Sequence, residues 1–133
     1  MAAEPYEIVL IDDDPNMHHA VKAMLPPPQY HLTCCSTGPA GLAEVRRKKP
    51  DIVLLDIMLA TPSEGFHLCY AIKEDPALRS VPVIMISAIG SKIGMDYARE
   101  LGSEYIPADA FLEKPLDAAV VRVAVEKFLG IRA

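Results

Sequence analysis

The chain has 133 residues, 51% of them hydrophobic and 23% charged, with no Trp and a formal charge of −5 from 13 Lys and Arg against 18 Asp and Glu. A chain of this length buries roughly two thirds of its unfolded surface, so one core needs neither a disulfide framework nor a structural metal. The acidic balance excludes a phosphate backbone or an anionic membrane as the main partner, since both are bound by clustered Lys and Arg.

Taken in chain order, residues 7–11 (EIVLI) read as a strand and 15–25 as a helix, with Asp14 as N-cap, Pro15 at the first helical position and Met17, Ala20, Val21, Met24 and Leu25 inward. Pro26-Pro27-Pro28 stops that helix. Residues 30–35 form a less uniformly apolar strand, suited to a sheet edge, and 40–48 a helix with Leu42, Ala43 and Val45 inward. Its basic end, Arg46-Arg47-Lys48-Lys49, is solvated and complements the helix dipole. A strand at 51–55 (DIVLL) precedes a helix at 65–74 carrying Phe66, Leu68, Cys69 and Ile72, ended by Asp75-Pro76. Then come a strand at 81–86 (VPVIMI), a short helix at 95–101 closed by Gly102, and a weaker strand at 110–113. The last helix, 117–129, is capped by Asp117 and turns Val120, Val121, Ala124, Val125, Phe128 and Leu129 inward.

The three strongest strands hardly alternate in polarity, the pattern of strands covered on both faces. Strand then helix, five times over, predicts an α/β parallel sheet with helices on both faces and right-handed crossovers. We expect a single domain over 1–133, core about 6–130, with no output domain in the chain. Cys34, Cys35 and Cys69 fit no closed disulfide set or metal spacing and read as small buried hydrophobes in a reducing, cytoplasmic setting. No stretch reaches the about 20 apolar residues of a membrane span.

In open α/β sheets ligands sit outside the carboxyl ends of the strands, so the residues there are read together. They are Asp12-Asp13-Asp14, Asp56, Ser87 and Lys114-Pro115. Asp14 is accounted for as turn and cap. Gathered carboxylates repel one another, and a bound cation is one remedy. An oxygen-only donor set suits Mg²⁺ better than Zn²⁺. One carboxylate left ionised could then act as nucleophile toward a phosphoryl group whose oxygens meet the cation, Lys114 and the Ser87 hydroxyl.

The segments IVLIDDDP, DIVLLDIM, EGFHLC, VPVIMISA and FLEKPL, in this order over nearly the whole chain, resemble the receiver domains of two-component response regulators. The resemblance implies a flavodoxin-like doubly wound five-stranded parallel sheet of order 2-1-3-4-5. It implies Asp56 as phosphoacceptor, with Mg²⁺ held by Asp12, Asp13, Asp56 and the backbone carbonyl of Met58. It further implies Ser87 as switch hydroxyl, the Ala88 backbone and Lys114 as phosphoryl contacts, Phe111 as switch aromatic and a cis peptide at Pro115. The implied partners are a sensor histidine kinase or phosphotransfer protein upstream and an effector on the face of the fourth helix, fifth strand and fifth helix, a face that would also serve a homodimer; neither nucleic acid nor a membrane is implied. Such a protein is a switch with self-catalysed transfer and hydrolysis, not an enzyme of metabolism.

Departures from the pattern bear on these expectations. Ala60 stands where receivers usually carry Pro, the 56–65 loop is one residue longer, and the segment before 110 is longer by a handful of residues. Apolar Met58 and Ile89 flank the expected acyl phosphate, which predicts slow loss of the phosphate. His18 and His19 read as facing solvent or a kinase. The rival reading is a receiver-like interaction module that works without phosphorylation. A phosphatase with an aspartyl-phosphate intermediate is a further rival, disfavoured because Met58 stands where such enzymes place an acid.

Overall fold

A computed structural model describes residues 4–57, 64–87 and 108–130. They form β1 (Tyr6–Ile11), α1 (Pro15–Met24), β2 (Tyr30–Cys35), α2 (Gly38–Lys48), β3 (Ile52–Asp56), α3 (Glu64–Glu74), β4 (Val83–Ser87), β5 (Ala110–Glu113) and a C-terminal helix, α4 (Ala118–Leu129). The helix expected at 95–101 lies outside the described residues, as do Met58, Ala60, Ala88, Ile89, Gly102 and most of the long segment before β5.

All pairings are parallel, in the order β2-β1-β3-β4-β5. The parallel sheet is the one that the alternation of strand and helix predicts, and its order is the flavodoxin-like one that the resemblance implies. Register places the ends of β1, β3 and β4 in a rising series. Ile11 pairs with Leu55 and Asp56 with Ile86, so β3 runs one residue beyond β1 and β4 one beyond β3, while Ser87 pairs with Glu113 and β5 ends level with β4.

Successive side chains of a strand point to opposite faces, which separates the core in two. Val9, Ile11, Val53, Leu55, Val83 and Met85 pack with Val45 of α2 and with Phe66, Cys69 and Ile72 of α3. Ile8, Leu10, Ile52, Leu54, Ile84 and Ile86 pack with Val21 of α1 and with Val121 and Val125 of α4. Both faces are covered, so the inner strands are apolar on both, and Ile8 through Ile11 are all fully buried.

The helix boundaries follow their caps. Asp14 accepts from the Asn16 N–H at 2.9 Å with Pro15 in the first turn, and Asp117 accepts from Ala119 at 2.8 Å. Helix α2 begins two residues earlier than its apolar spacing suggests, because Thr37 caps it, accepting from Ala40 at 3.2 Å, and Pro39 suits the first turn. Its buried side is also rotated: Gly38, Gly41 and Val45 face inward while Ala43 is exposed. At Gly41 a Cβ would lie 2.5 Å from Ile11 Cδ1, so the helix approaches the sheet through the missing side chain. On α4 Val120 is a correction: it is 53% exposed, since it precedes the Val121–Val125 stripe by one residue and is turned away by about 100°. Of the α1 residues expected inward, Val21 and Leu25 are buried, while Met17, Ala20 and Met24 are only partly so.

Cys35 and Cys69 are buried and Cys34 is half-buried, all as free thiols. Burial pushes the Cys69 thiol up to about 12. The basic end of α2 is solvated apart from Lys48, whose ammonium lies 3.5 Å from Glu7 Oε2. Among the described residues no helix is long and apolar enough to cross a membrane.

Candidate functional site

Three polar or charged residues are buried among the described residues, Asp12, Asp56 and Ser87, and all three stand at the carboxyl ends of the central strands. Burying such groups is costly unless something compensates. Register explains their meeting. Asp12 and Asp56 each lie one step beyond the Ile11–Leu55 pair, and Ser87 one step beyond Ile86, which is paired with Asp56. The strand 52–56 begins and ends one residue later than expected, so Asp56 closes β3 instead of following it.

Carboxylate oxygens of Asp12, Asp13 and Asp56 come within 4.8 Å of one another, with Asp13 exposed and the other two buried. Lys114 reaches in from the end of β5, its Nζ 3.3 Å from Asp12 Oδ2 and 3.7 Å from Asp56 Oδ2. Among the described residues three carboxylates and one ammonium meet here, an acidic balance that suits a divalent cation. Among the described residues neither Asp12 Oδ2, ion-paired with Lys114, nor Ser87 Oγ has a hydrogen-bond partner, and both are buried. Carboxylate oxygens from three residues within reach of one another, one of them buried without a hydrogen bond, are a donor set a hard cation would complete, so the residues present fit Mg²⁺.

The backbone around these groups is tightly held. Asp12 N–H donates to Cys35 O at 3.0 Å, and Asp12 Oδ1 accepts from the Asp14 N–H at 2.9 Å. The Asp12 carbonyl accepts from His18 Nε2 at 2.6 Å. His18 was read from sequence as facing solvent or a kinase; its ring instead folds back to the strand end and is partly buried. Nothing in the spacing of apolar residues signals this, because it depends on one rotamer reaching back over the first turn. Ile57 N–H donates to Ile86 O at 2.9 Å and Lys114 N–H to Ser87 O at 2.7 Å, tying the exits of β3, β4 and β5 together.

Gly65, in the first turn of α3, closes the site from below. A Cβ there would lie 2.3 Å from Ile57 O and 2.7 Å from Asp56 O, so the helix rests on the backbone that carries Asp56. Phe111 pairs with Met85 in register and is 37% exposed on β5. The Lys114–Pro115 peptide is cis. The Met58 carbonyl and the Ala88 backbone, expected to contribute to the site, lie outside the described residues.

The response regulator receiver domain family matches residues 8–126. The response regulator PleD of Caulobacter vibrioides is 34% identical over 110 residues, covering 83% of this chain and 23% of that protein. The sensory transduction protein RegX3 of Mycobacterium tuberculosis is 36% identical over 111 residues, 84% of this chain and 45% of that protein. The transcriptional regulatory protein CseB of Streptomyces coelicolor is 32% identical over 127 residues, 96% of this chain and 50% of that protein. The chain therefore spans between a quarter and a half of the length of these relatives. Among solved structures, the receiver domain of NtrX from Brucella abortus superposes with a TM-score of 0.76 at 26% identity, covering 94% of this chain and 99% of that one. The receiver domain of the Pseudomonas aeruginosa sensor histidine kinase PA1611, which holds a magnesium ion in its active-site cleft, gives 0.80 at 24% identity over 95% and 98%.

Proposed function

The chain belongs to the response regulator receiver domain family of two-component systems, whose standard function is phosphorylation-controlled signalling, and we propose that Asp56 is the phosphoacceptor of this switch, with Asp12, Asp13 and Asp56 holding Mg²⁺. The donor is a phosphohistidine on a sensor kinase or phosphotransfer protein. One observation carries the reading: the Lys114 ammonium lies 3.7 Å from the buried Asp56 carboxylate and 3.3 Å from Asp12 Oδ2, with the buried Ser87 Oγ at the neighbouring strand end.

In the transfer, a carboxylate oxygen of Asp56 forms a bond to phosphorus as the P–N bond to the donor imidazole breaks, and the imidazole leaves with the electron pair. Phosphoryl transfer asks mainly for positioning and charge neutralisation. Bound Mg²⁺ would supply countercharge for the phosphoryl oxygens. Lys114, already between Asp12 and Asp56, supplies a second positive charge to those oxygens. The Ser87 hydroxyl gains in the phosphorylated protein the hydrogen-bond acceptor it lacks here, which favours the form in which the β4 exit is drawn toward Asp56. Lys114 N–H is bonded to Ser87 O, so the start of the β5 exit is drawn with it. The signal would pass to a downstream partner through the surface beside β5, where Phe111 lies. The same chemistry makes the chain a switch that modifies and resets itself, acting in the cytoplasm.

The test is intact-protein mass after incubation with acetyl phosphate or beryllofluoride, with and without Mg²⁺, on wild type and Asp56→Asn. A Mg²⁺-dependent adduct absent from the variant is the expected result. A folded protein that takes no adduct under any condition refutes the reading and favours an interaction module that works without phosphorylation.

A further inference from the structure

The exposed Asp13 differs from its partners in the acidic cluster: Asp12 and Asp56 are packed into the strand ends, whereas the direction of the Asp13 carboxylate depends on the backbone that carries it. That direction is set by the two peptide planes on either side of its Cα. The plane after Asp13 is held by the Asp14 N–H, which donates to Asp12 Oδ1 at 2.9 Å. The plane before it contains the Asp12 carbonyl, which accepts from His18 Nε2 at 2.6 Å. We propose that His18 is a positioning residue of the acidic site, fixing the Asp12–Asp13 peptide so that the Asp13 carboxylate is presented to the cation.

The helix geometry suits this role. Side chains of an α-helix lean toward its N-terminus, so a residue early in α1 naturally covers the turn before it. The start of α1 is anchored by the Asp14 cap, and Val21, three residues after His18, is fully buried against the sheet. His18 therefore reaches back from a fixed base. Both the neutral tautomer protonated at Nε2 and the imidazolium supply the donor, so the contact does not depend on the ring being charged. The Asp12 carbonyl follows the end of β1, and without His18 the peptide before Asp13 loses the hydrogen bond that fixes its tilt, leaving Asp13 held from the Asp14 side alone.

The inference rests on the reading of Asp12 and Asp13 as Mg²⁺ holders, and the experiment separates the two. Mg²⁺ affinity is measured by titration calorimetry on wild type, His18→Gln and His18→Asn, with thermal unfolding of each in the absence of metal. Gln can place an amide N–H near the position of Nε2, whereas Asn is too short. His18→Asn should raise the Mg²⁺ dissociation constant about tenfold, the usual scale for losing a group that orients a metal ligand. His18→Gln should stay close to wild type, with both variants melting near the wild-type temperature. Equal affinity in wild type and His18→Asn, or equal weakening in both variants, overturns the role of His18. Absence of Mg²⁺ binding by wild type overturns the metal reading and the positioning role with it. Long-range ¹H–¹⁵N spectra of the wild-type ring give a check free of mutation: a proton on Nε2 supports the contact, and a neutral ring protonated at Nδ1 alone overturns it.

Discussion

Gly65→Ala adds one methyl group where the first turn of α3 rests on the end of β3. The new Cβ would stand 2.3 Å from Ile57 O, 2.7 Å from Asp56 O and 2.7 Å from the Ile57 carbonyl carbon, all backbone atoms. Ordinary contact begins at 3.4 Å, so the two segments must part by about 1 Å. Strand β3 cannot give way, because Val53 through Leu55 are fully buried and paired on both sides. The movement falls on α3, and with it on Phe66 and Cys69 in the core. Overpacking of this kind costs about 1–3 kcal/mol. The clash is with backbone and not with the end of a side chain, which argues for the upper end, and better helix propensity returns up to about 1 kcal/mol. The net loss is about 2 kcal/mol, equivalent to a urea midpoint lower by roughly 1 M and a melting temperature lower by roughly 5–10 °C. Urea unfolding followed by circular dichroism measures it. A variant that unfolds at the wild-type urea concentration or higher would refute the claim that α3 braces the Asp56 backbone.

Lys114→Met should destabilise the metal-free protein by about 1–3 kcal/mol, less than for a fully buried pair because the lysine side chain is 21% exposed. Added Mg²⁺ should restore much of this, and unchanged stability in urea would show that the ammonium does not compensate Asp12. Ser87→Ala removes a buried hydroxyl that has no hydrogen-bond partner among the described residues. The unmodified protein should be unchanged or up to about 1 kcal/mol more stable, while response to phosphorylation is lost; marked destabilisation on denaturant titration would contradict this. Glu7 lies 2.8 Å from His31 Nδ1 and 3.5 Å from Lys48 Nζ, and the hydrogen bond to His31, with the charges of both, holds its carboxyl below the usual range. A depressed carboxylate contributes stability above its unfolded pKa of about 4.3 and loses it as the pH falls through the folded value. Glu7→Gln should therefore cost under about 1 kcal/mol at pH 7, and the difference from wild type should close in acid; a gap that widens below pH about 4 would reverse the sign of the argument.

What could be read from the sequence follows from how each feature is encoded. The apolar runs ending at Ile11, Leu55 and Ile86 are legible because a strand with both faces covered has no room for polar alternation. The same runs mark where the site must lie, since Asp12, Asp56, Ser87 and Lys114 stand at strand exits that the register then brings together. The inward side of α2 is legible at Val45 and Leu42 but not at Gly38 and Gly41, where it is made by the absence of side chains, to which a search for apolar spacing is blind. Val120 misleads for the opposite reason, an apolar residue on the rim of a helix whose stripe is set by Val121 and Val125. The turn of His18 back to the Asp12 carbonyl is a matter of one rotamer, and the bracing of Asp56 by Gly65 a matter of two segments meeting; neither is written in local spacing.

The division of the interior by the sheet has a consequence for how this chain can change. Val45 beneath α2 and Val125 beneath α4 belong to clusters on opposite sides of a wall of backbone. Substitutions at well-separated sites with no shared partners usually combine additively, within about 0.5 kcal/mol. Lineages can therefore re-sculpt the α1–α4 side, exchanging one set of surface specificities for another, without renegotiating the α2–α3 side. The strand exits, where residues from both sides converge, lack that freedom.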